Sequence, residues 1–380
     1  MEWVPVRQIR SGMRLAKSIV LPDGRLWLIK GSELKETYVN PMLEQGIMSV
    51  YVVNELAPDL VVHDVVAEES RQQLTEEMRQ VIRNVRPAVA ESTHRGVGRF
   101  GSALNLDRLK SAVDRIVDEL LGNRTVVYHL KDLRAADDYT LGHSVNVCVL
   151  STLLGSVCDL NQNEMKDLAV GALLHDIGKT LTPPAILGKP GKLTPDETNV
   201  MNRHTTDGWN ILKEQQGIPY SAAIVALQHH ERWAGGGYPK GIKGSDIFKY
   251  SRICSVADCF DAMTADRPYR QGMSAARTLH IMQGEMAHFF EPELLKKFAD
   301  CIAPYPVGSL VEITGGRKAV VVEVRRGHTY RPRIRLVLEA DGTRIQEAIE
   351  LELIDHPRVQ ITEVLREGTP FVPDDLVSAG

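Results

Sequence analysis

The feature that most constrains this chain is an ordered series of metal-competent residues: His143, the pair His175-Asp176, His204, the pair His229-His230, and Asp258. Successive members stand roughly 25 to 32 residues apart, about one helix plus a loop. From about residue 104 to 300 the sequence has helical character, broken at LTPPAILGKPGKLTP and WAGGGYPKG. In a helical bundle each cluster can come from a different helix and point into a common centre. Imidazole nitrogens and carboxylate oxygens suit first-row divalent metals. Five histidines and two aspartates exceed the needs of one tetrahedral ion and fit two ions bridged by a carboxylate. No cysteine accompanies the set, which argues against a structural zinc ribbon.

Each member alone has an ordinary explanation. Isolated histidines such as His63, His288 and His356 read as surface or core residues. The segment LLHDIGK, taken by itself, is a helix C-terminus with a glycine stop and a solvated Lys179. The series as a whole overrides these explanations. In HHERWAGGGYPKG, adjacent residues on a helix lie about 100° apart, so the helix is expected to end or loosen at His229-His230. Glycines then permit an immediate turn, and Tyr238-Pro239 stiffens its exit.

The 380 residues are enough for two or three domains. The net charge of −4 gives no broad case for a nucleic-acid polymer or an anionic membrane. Five cysteines without a CxxC pair read as buried free thiols in a reducing compartment. No signal-peptide pattern opens the sequence, and the most apolar stretch, Val145 to Cys158, is too short to span a bilayer. A cytoplasmic protein is expected.

Alternation and turn signals predict a small α/β module over residues 1–60, with strands in SIVL, RLWLIK and SVYVV and a helix near TYVNPMLEQG. Residues 61–103 are expected to be a helical and loop linker, with a charged helix over about 65–90 suited to dimerisation. The linker contains GVGRFG, which fits G-x-G-x-x-G but lacks the strand and βαβ context of a dinucleotide site. Residues 104–303 form the helical domain. A small antiparallel β module over 304–365, with strands in GSLVEITGG, KAVVVEVRRG and RIRLVLEADG, and a tail over 366–380 complete a mainly α chain.

The motifs HDIGK, DDYTLGHSVNV and VADCFDAMTADRPYR, in this order, resemble the HD superfamily of metal-dependent phosphohydrolases. HHERWAGGGYPKG narrows the resemblance to its HD-GYP subfamily, the cyclic di-GMP phosphodiesterases. The resemblance covers about residues 104–303 and implies an HD-type helical bundle as the catalytic domain. It implies that His143, His175, Asp176 and Asp258 hold one ion, and that Asp176 bridges to a second ion held by His204, His229 and His230. Lys179 would then sit against the substrate phosphate, with Asp176 and Lys179 as the catalytic pair. Asp137 and Asp261 would line the site, and Arg267 and Arg270 would grip phosphates through planar guanidinium forks. Members with three metals carry Glu where this chain has Tyr139, so two divalent ions are expected, Fe or Mn foremost, with Ni, Co and Zn also suited to such ligands. Many members carry Asp where this chain has Ala234, a difference bearing on loop geometry or substrate fit.

The activity so implied is hydrolysis of cyclic di-GMP to linear pGpG, with onward cleavage to GMP left open by the sequence. Two ions a few ångströms apart would form a metal-bridged hydroxide that attacks phosphorus, and would clamp the developing charge. Expected partners are cyclic di-GMP, a second copy of the chain, and a protein such as a diguanylate cyclase, with no membrane. The competing expectations are a catalytically silent cyclic-dinucleotide-binding signalling module and an HD hydrolase of another nucleotide.

Overall fold

The computed structural model describes residues 2–21, 25–45, 47, 49–53, 56–60, 65–94, 106–122, 139–213, 215–265 and 272–365. They fall into two compact units, one drawn from 1–64 and 302–380, the other from 65–126 and 139–301.

The N-terminal part of the first unit contains β1 (Glu2–Pro5), β2 (Ile19–Val20), β3 (Leu26–Leu28), α1 (Val39–Glu44) and β4 (Ser49–Val52). β2, β3, β4 and α1 fall in the segments expected from sequence. β1 does not: four residues ending in Pro5 carry little alternation, and pairing with β4, Trp3 opposite Tyr51, is what defines them as a strand. Val4, Val6, Leu15, Leu34 and Met42 bury completely between these elements.

The second unit is the helical one. It comprises α2 (Glu68–His94), α3 (Asp107–Gly122), α4 (Tyr139–Gly155), α5 (Gln162–Leu173), α6 (Pro184–Leu187), α7 (Pro195–Asn202), α8 (His204–Leu212), α9 (Tyr220–Gln228), α10 (Lys249–Thr264), α11 (Ala275–Gln283) and α12 (Pro292–Ala299). α4 is buried along nearly all its described length, as expected of a helix apolar on every side. It packs against α5 and α10, while α9 packs against α5 and α8. The start of α5 is fixed by a reciprocal capping box between Asn161 and Glu164.

α2 occupies the charged helix expected within residues 61–103. Leu74, Met78, Val81 and Val85 form a buried stripe, and the helix packs on α3 and α4. Each such side chain contributes about 1.5–3 kcal/mol when fully buried. The charged opposite face obscures this stripe in the sequence. Glu119 of α3 reinforces the contact by accepting from Ala67 N–H at 2.8 Å and from the Ser70 hydroxyl.

The chain then returns to the first unit with β5 (Leu310–Ile313), β6 (Lys318–Glu323), β7 (Arg333–Leu338), β8 (Glu350–Glu352) and β9 (Ile361–Val364). They form one antiparallel sheet in the order β8-β7-β6-β5-β9. β5, β6 and β7 match the expected strands; β8 and β9, short and more exposed, extend the sheet at its edges. The two ends of the chain, expected as separate modules, share this unit: Ala57 packs with Val320, Val337 and Leu338, and Asp59 pairs with Arg335 at 2.7 Å. Nothing local in either segment signals that pairing. The GVGRFG segment, the whole 366–380 tail and His63 lie outside the described residues.

Candidate metal centre

Five helix-derived positions deliver the series to one point. His143 lies in the first turns of α4, and His175-Asp176 follow the end of α5. His204 opens α8, His229-His230 follow the end of α9, and Asp258 sits on α10. Gly178 sets the approach of two of these segments. A Cβ there would collide with the His204 carbonyl oxygen and stand 2.5 Å from Gly208 N. Only a residue without a side chain lets the turn after Asp176 lie directly on the backbone of α8.

The ligand-competent atoms form two groups, each with its atoms within 4.8 Å of one another: His143, His175 and Asp258; and Asp176, His204, His229 and His230. Asp176 faces both. Its Oδ2 is 3.3 Å from His175 Nε2 and 3.7 Å from His143 Nε2. Its Oδ1 is 3.4 Å from His204 Nε2 and 3.7 Å from His229 Nε2. Asp258 completes the first group, with Oδ1 3.1 Å from His143 Nε2.

The imidazoles are oriented from behind. The Nδ1–H groups of His175, His204 and His229 donate to the carbonyls of Ala172, Met201 and Ala226 at 2.7, 2.7 and 3.0 Å. That fixes a lone pair on each Nε2. The Nε2 atoms of His204 and His229 stand only 3.3 Å apart, so two lone pairs confront each other unless a cation lies between them. His175 Nε2 and Asp176 Oδ1 are buried with no hydrogen-bond partner among the described residues, which costs stability unless something satisfies them. A divalent metal answers both demands, and the residues present fit one.

Electrostatics point the same way for the second group. Burial, reinforced by the neighbouring imidazoles, holds His229 well below the usual histidine range. Burial also pushes His230 down to about 4 and lowers His204, leaving these rings neutral at physiological pH, as ligands must be. Burial opposes the charge on His143, but hydrogen bonds to Asp258 and Asp261 raise it well above its ordinary value. Burial likewise opposes the charge on Asp176, yet Lys179 and His175 hold it well below the carboxylate range. Lys179 Nζ pairs directly with Asp176 Oδ2.

The glycine-rich loop closes the second group. α9 stops at Gln228, so the two histidines leave the helix in sequence. Gly235 and Gly236 take positive φ values of 91° and 77°. A Cβ on Gly237 would stand 2.5 Å from the His230 carbonyl oxygen and 2.6 Å from Arg232 N. Glu231, nearly fully buried, accepts from Lys240 N–H at 2.7 Å and ties the loop down. The Tyr238 ring then lies against His230, with centroids 4.7 Å apart and planes at 30°.

Residues 130–294 match the HD domain family model, and residues 310–369 match a KOW domain associated with HD domains. Among curated proteins, the chain is 34% identical over 265 residues to cyclic di-GMP phosphodiesterase PA4108 of Pseudomonas aeruginosa, covering 70% of this chain and 63% of that protein. It is 39% identical over 141 residues to the cyclic di-GMP phosphodiesterase response regulator RpfG of Xanthomonas campestris, covering 37% of each. Residues 130–294 thus carry an HD domain. It is also 37% identical over 174 residues to 3'3'-cGAMP-specific phosphodiesterase 1 of Vibrio cholerae, covering 45% of this chain and 39% of that protein. The chain spans less than two thirds of the length of each of these three relatives.

Within the HD domain, the structure brings together His143, His175, Asp176, His204, His229, His230 and Asp258. Asp137, Arg267 and Arg270 lie outside the described residues, as does the side chain of Tyr139. Asp261 differs from expectation. Rather than lining an open site it is 2% exposed, with Oδ2 on His143 Nδ1 at 2.7 Å and Oδ1 accepting from Asn146 Nδ2 at 2.8 Å. Asn146, three residues after His143, is the partner that sequence reasoning passes over. The signal was the matched spacing: His143-x-x-Asn146 on α4 and Asp258-x-x-Asp261 on α10 each place two residues on one helix face.

Proposed function

We propose that this chain is a metal-dependent phosphodiesterase that opens cyclic di-GMP to linear pGpG. The observation that carries this reading is the pair of ligand groups sharing one carboxylate, with the unpaired His175 Nε2 and Asp176 Oδ1 at its heart. The GYP segment and the relatives named as cyclic di-GMP phosphodiesterases support the substrate class.

In this proposal His143, His175, Asp258 and Asp176 would hold one divalent ion, Fe or Mn foremost. His204, His229 and His230, with Asp176 shared, would hold the other. When bound, the two ions supply Lewis-acid charge for the phosphoryl oxygens and lower the pKa of water. Water attacks phosphorus, one 3′-oxygen–phosphorus bond breaks, and the 3′ oxygen leaves with a proton while the phosphate stays on the 5′ oxygen. Lys179, beside Asp176, neutralises charge on the phosphoryl group. The ring of Tyr238, its hydroxyl held neutral by burial, flanks His230 and keeps that side of the site apolar. Asp137, Arg267 and Arg270 are assigned to substrate binding. Among the described residues no helix is long and apolar enough to cross a membrane, and we assign the chain to the cytoplasm.

The test is to purify the full chain anaerobically with Fe(II), or with Mn(II), add cyclic di-GMP and separate the products. Linear pGpG is the expected product. Bound ions with no turnover of any cyclic dinucleotide would instead identify a silent binding module. A second substrate, 3'3'-cGAMP, is favoured by the similarity to the Vibrio cholerae enzyme; parallel progress curves rank the two.

A further inference from the structure

The two halves of the centre are built differently behind their ligands. Asp258 and Asp261, one turn apart on α10, grip His143 from opposite ends: Asp258 Oδ1 is 3.1 Å from Nε2 and Asp261 Oδ2 is 2.7 Å from Nδ1. Asn146, one turn beyond His143 on α4, donates to the other oxygen of Asp261 at 2.8 Å. An ionised carboxylate only accepts hydrogen bonds. When a metal displaces the proton that Nε2 shares with Asp258, the proton left on His143 therefore sits on Nδ1, and Nε2 would offer its lone pair to the ion. The rings of His175, His204 and His229 are instead oriented by neutral backbone carbonyls. The first half also owns a carboxylate of its own, Asp258, whereas the second has three imidazoles and only its share of Asp176.

We propose that Asp261 is a positioning residue that makes the two halves unequal. It fixes the tautomer and ring of His143 and lends it negative charge. The His143, His175 and Asp258 half thereby becomes the tighter cation site and fills first, and the His204, His229 and His230 half fills second. This rests on the metal-dependent reading above. Carboxylates that orient metal-binding histidines are worth about 10–100-fold in metal affinity.

Asp261→Asn isolates the effect. If the amide oxygen faces His143, the tautomer survives but the charge is lost, and the amide NH2 meets the Asn146 donor. If the NH2 faces His143, Nδ1 must accept, the proton moves to Nε2, and the ring cannot ligate.

The experiment titrates the metal-free full chain with Mn(II) and follows free Mn(II) by electron paramagnetic resonance. Circular dichroism and melting of each variant check the fold. Wild type is expected to bind two ions in two resolved steps. His204→Ala should keep the first step and lose the second. Asp261→Asn should weaken the first step about 10–100-fold and spare the second. An unchanged first step in Asp261→Asn, equal weakening of both steps, or a wild type whose two ions bind in one unresolved step each overturns the proposal while leaving the metal centre standing. A wild type that binds neither Mn(II), Co(II) nor Zn(II) overturns the metal reading itself. Should Asp261→Asn fail to fold, Asn146→Ala, which loosens Asp261 but keeps its charge, is expected to weaken the first step alone; unchanged binding there overturns the proposal equally.

Discussion

Gly178→Ala is the most informative perturbation of this centre, because its damage can be worked out atom by atom. The new methyl would collide with the His204 carbonyl oxygen and stand 2.5 Å from Gly208 N and 2.8 Å from the His204 carbonyl carbon. All three are backbone atoms, so no side chain can swing aside. Ordinary contact begins near 3.4 Å, and relieving the clash with Gly208 alone requires about 0.9 Å of movement between the turn and α8. His204 rides on that backbone, while Asp176 lies two residues before the substituted position. Metal–ligand distances tolerate about 0.2 Å, so the half containing His204 is expected to lose its ion. The half built on His143, His175 and Asp258 draws on α4, α5 and α10 and is expected to keep its own. Overpacking adds a stability cost of about 1–3 kcal/mol, and a misplacement near 1 Å costs about 100-fold in rate. The assay is metal content per chain after gel filtration, with melting and turnover measured on the same sample. Gly122→Ala, at a helix end with nothing within 4 Å of the new Cβ, is the control. Two ions at wild-type affinity and full turnover in Gly178→Ala would refute the claim that this contact sets the geometry.

Three further outcomes follow from the same arrangement. Asp176→Ala is expected to abolish turnover and release both ions, since its two oxygens face different halves; metal analysis showing one retained ion would contradict the shared carboxylate. Lys179→Ala is expected to retain both ions and slow turnover by about 100-fold, the scale of losing one charge-stabilising donor; kinetics on the metal-loaded variant decide it. Metal-free protein is expected to lose stability as pH falls from about 6.5 to 4. Below pH 6.5 unfolding takes up protons at His204, His229 and His230, all held below their ordinary value; His230, held down to about 4, contributes up to about 1.4 kcal/mol per pH unit. His143, held above its ordinary value, works the other way: its contribution is complete below pH 6.5 and is lost only as pH rises through its raised value. The lowered carboxyls Asp176 and Asp258 stabilise the fold above the usual carboxylate range and lose that contribution as pH falls through their own values. Melting midpoints in chelator across this range test the sum.

The ligand series was legible in sequence because each member is a distinctive residue type and each stands a helix apart from the next. The stop of α9 at Gln228 was legible too, since two neighbouring imidazoles cannot share one helix face. Less visible was everything that depends on a second partner. Asp261 carries the same chemical information as any carboxylate near the site, and only its 2.7 Å contact with His143 Nδ1 shows that it faces the ring's far side. The membership of α2 in the helical unit was masked by its charged face, although Leu74, Met78, Val81 and Val85 already had helical spacing. The pairing of Asp59 with Arg335 spans most of the chain, and no local pattern encodes it.

The position of Asp176 also governs how such a centre can decay. Substituting His143 or His204 removes one ligand from one half and leaves the other group of atoms in place. Substituting Asp176 strips both halves at once. Loss of function can therefore begin gently at the periphery, through partly loaded intermediates, but from the middle it is abrupt. A descendant that kept the fold and abandoned the chemistry would have a gradual route open only through the histidines.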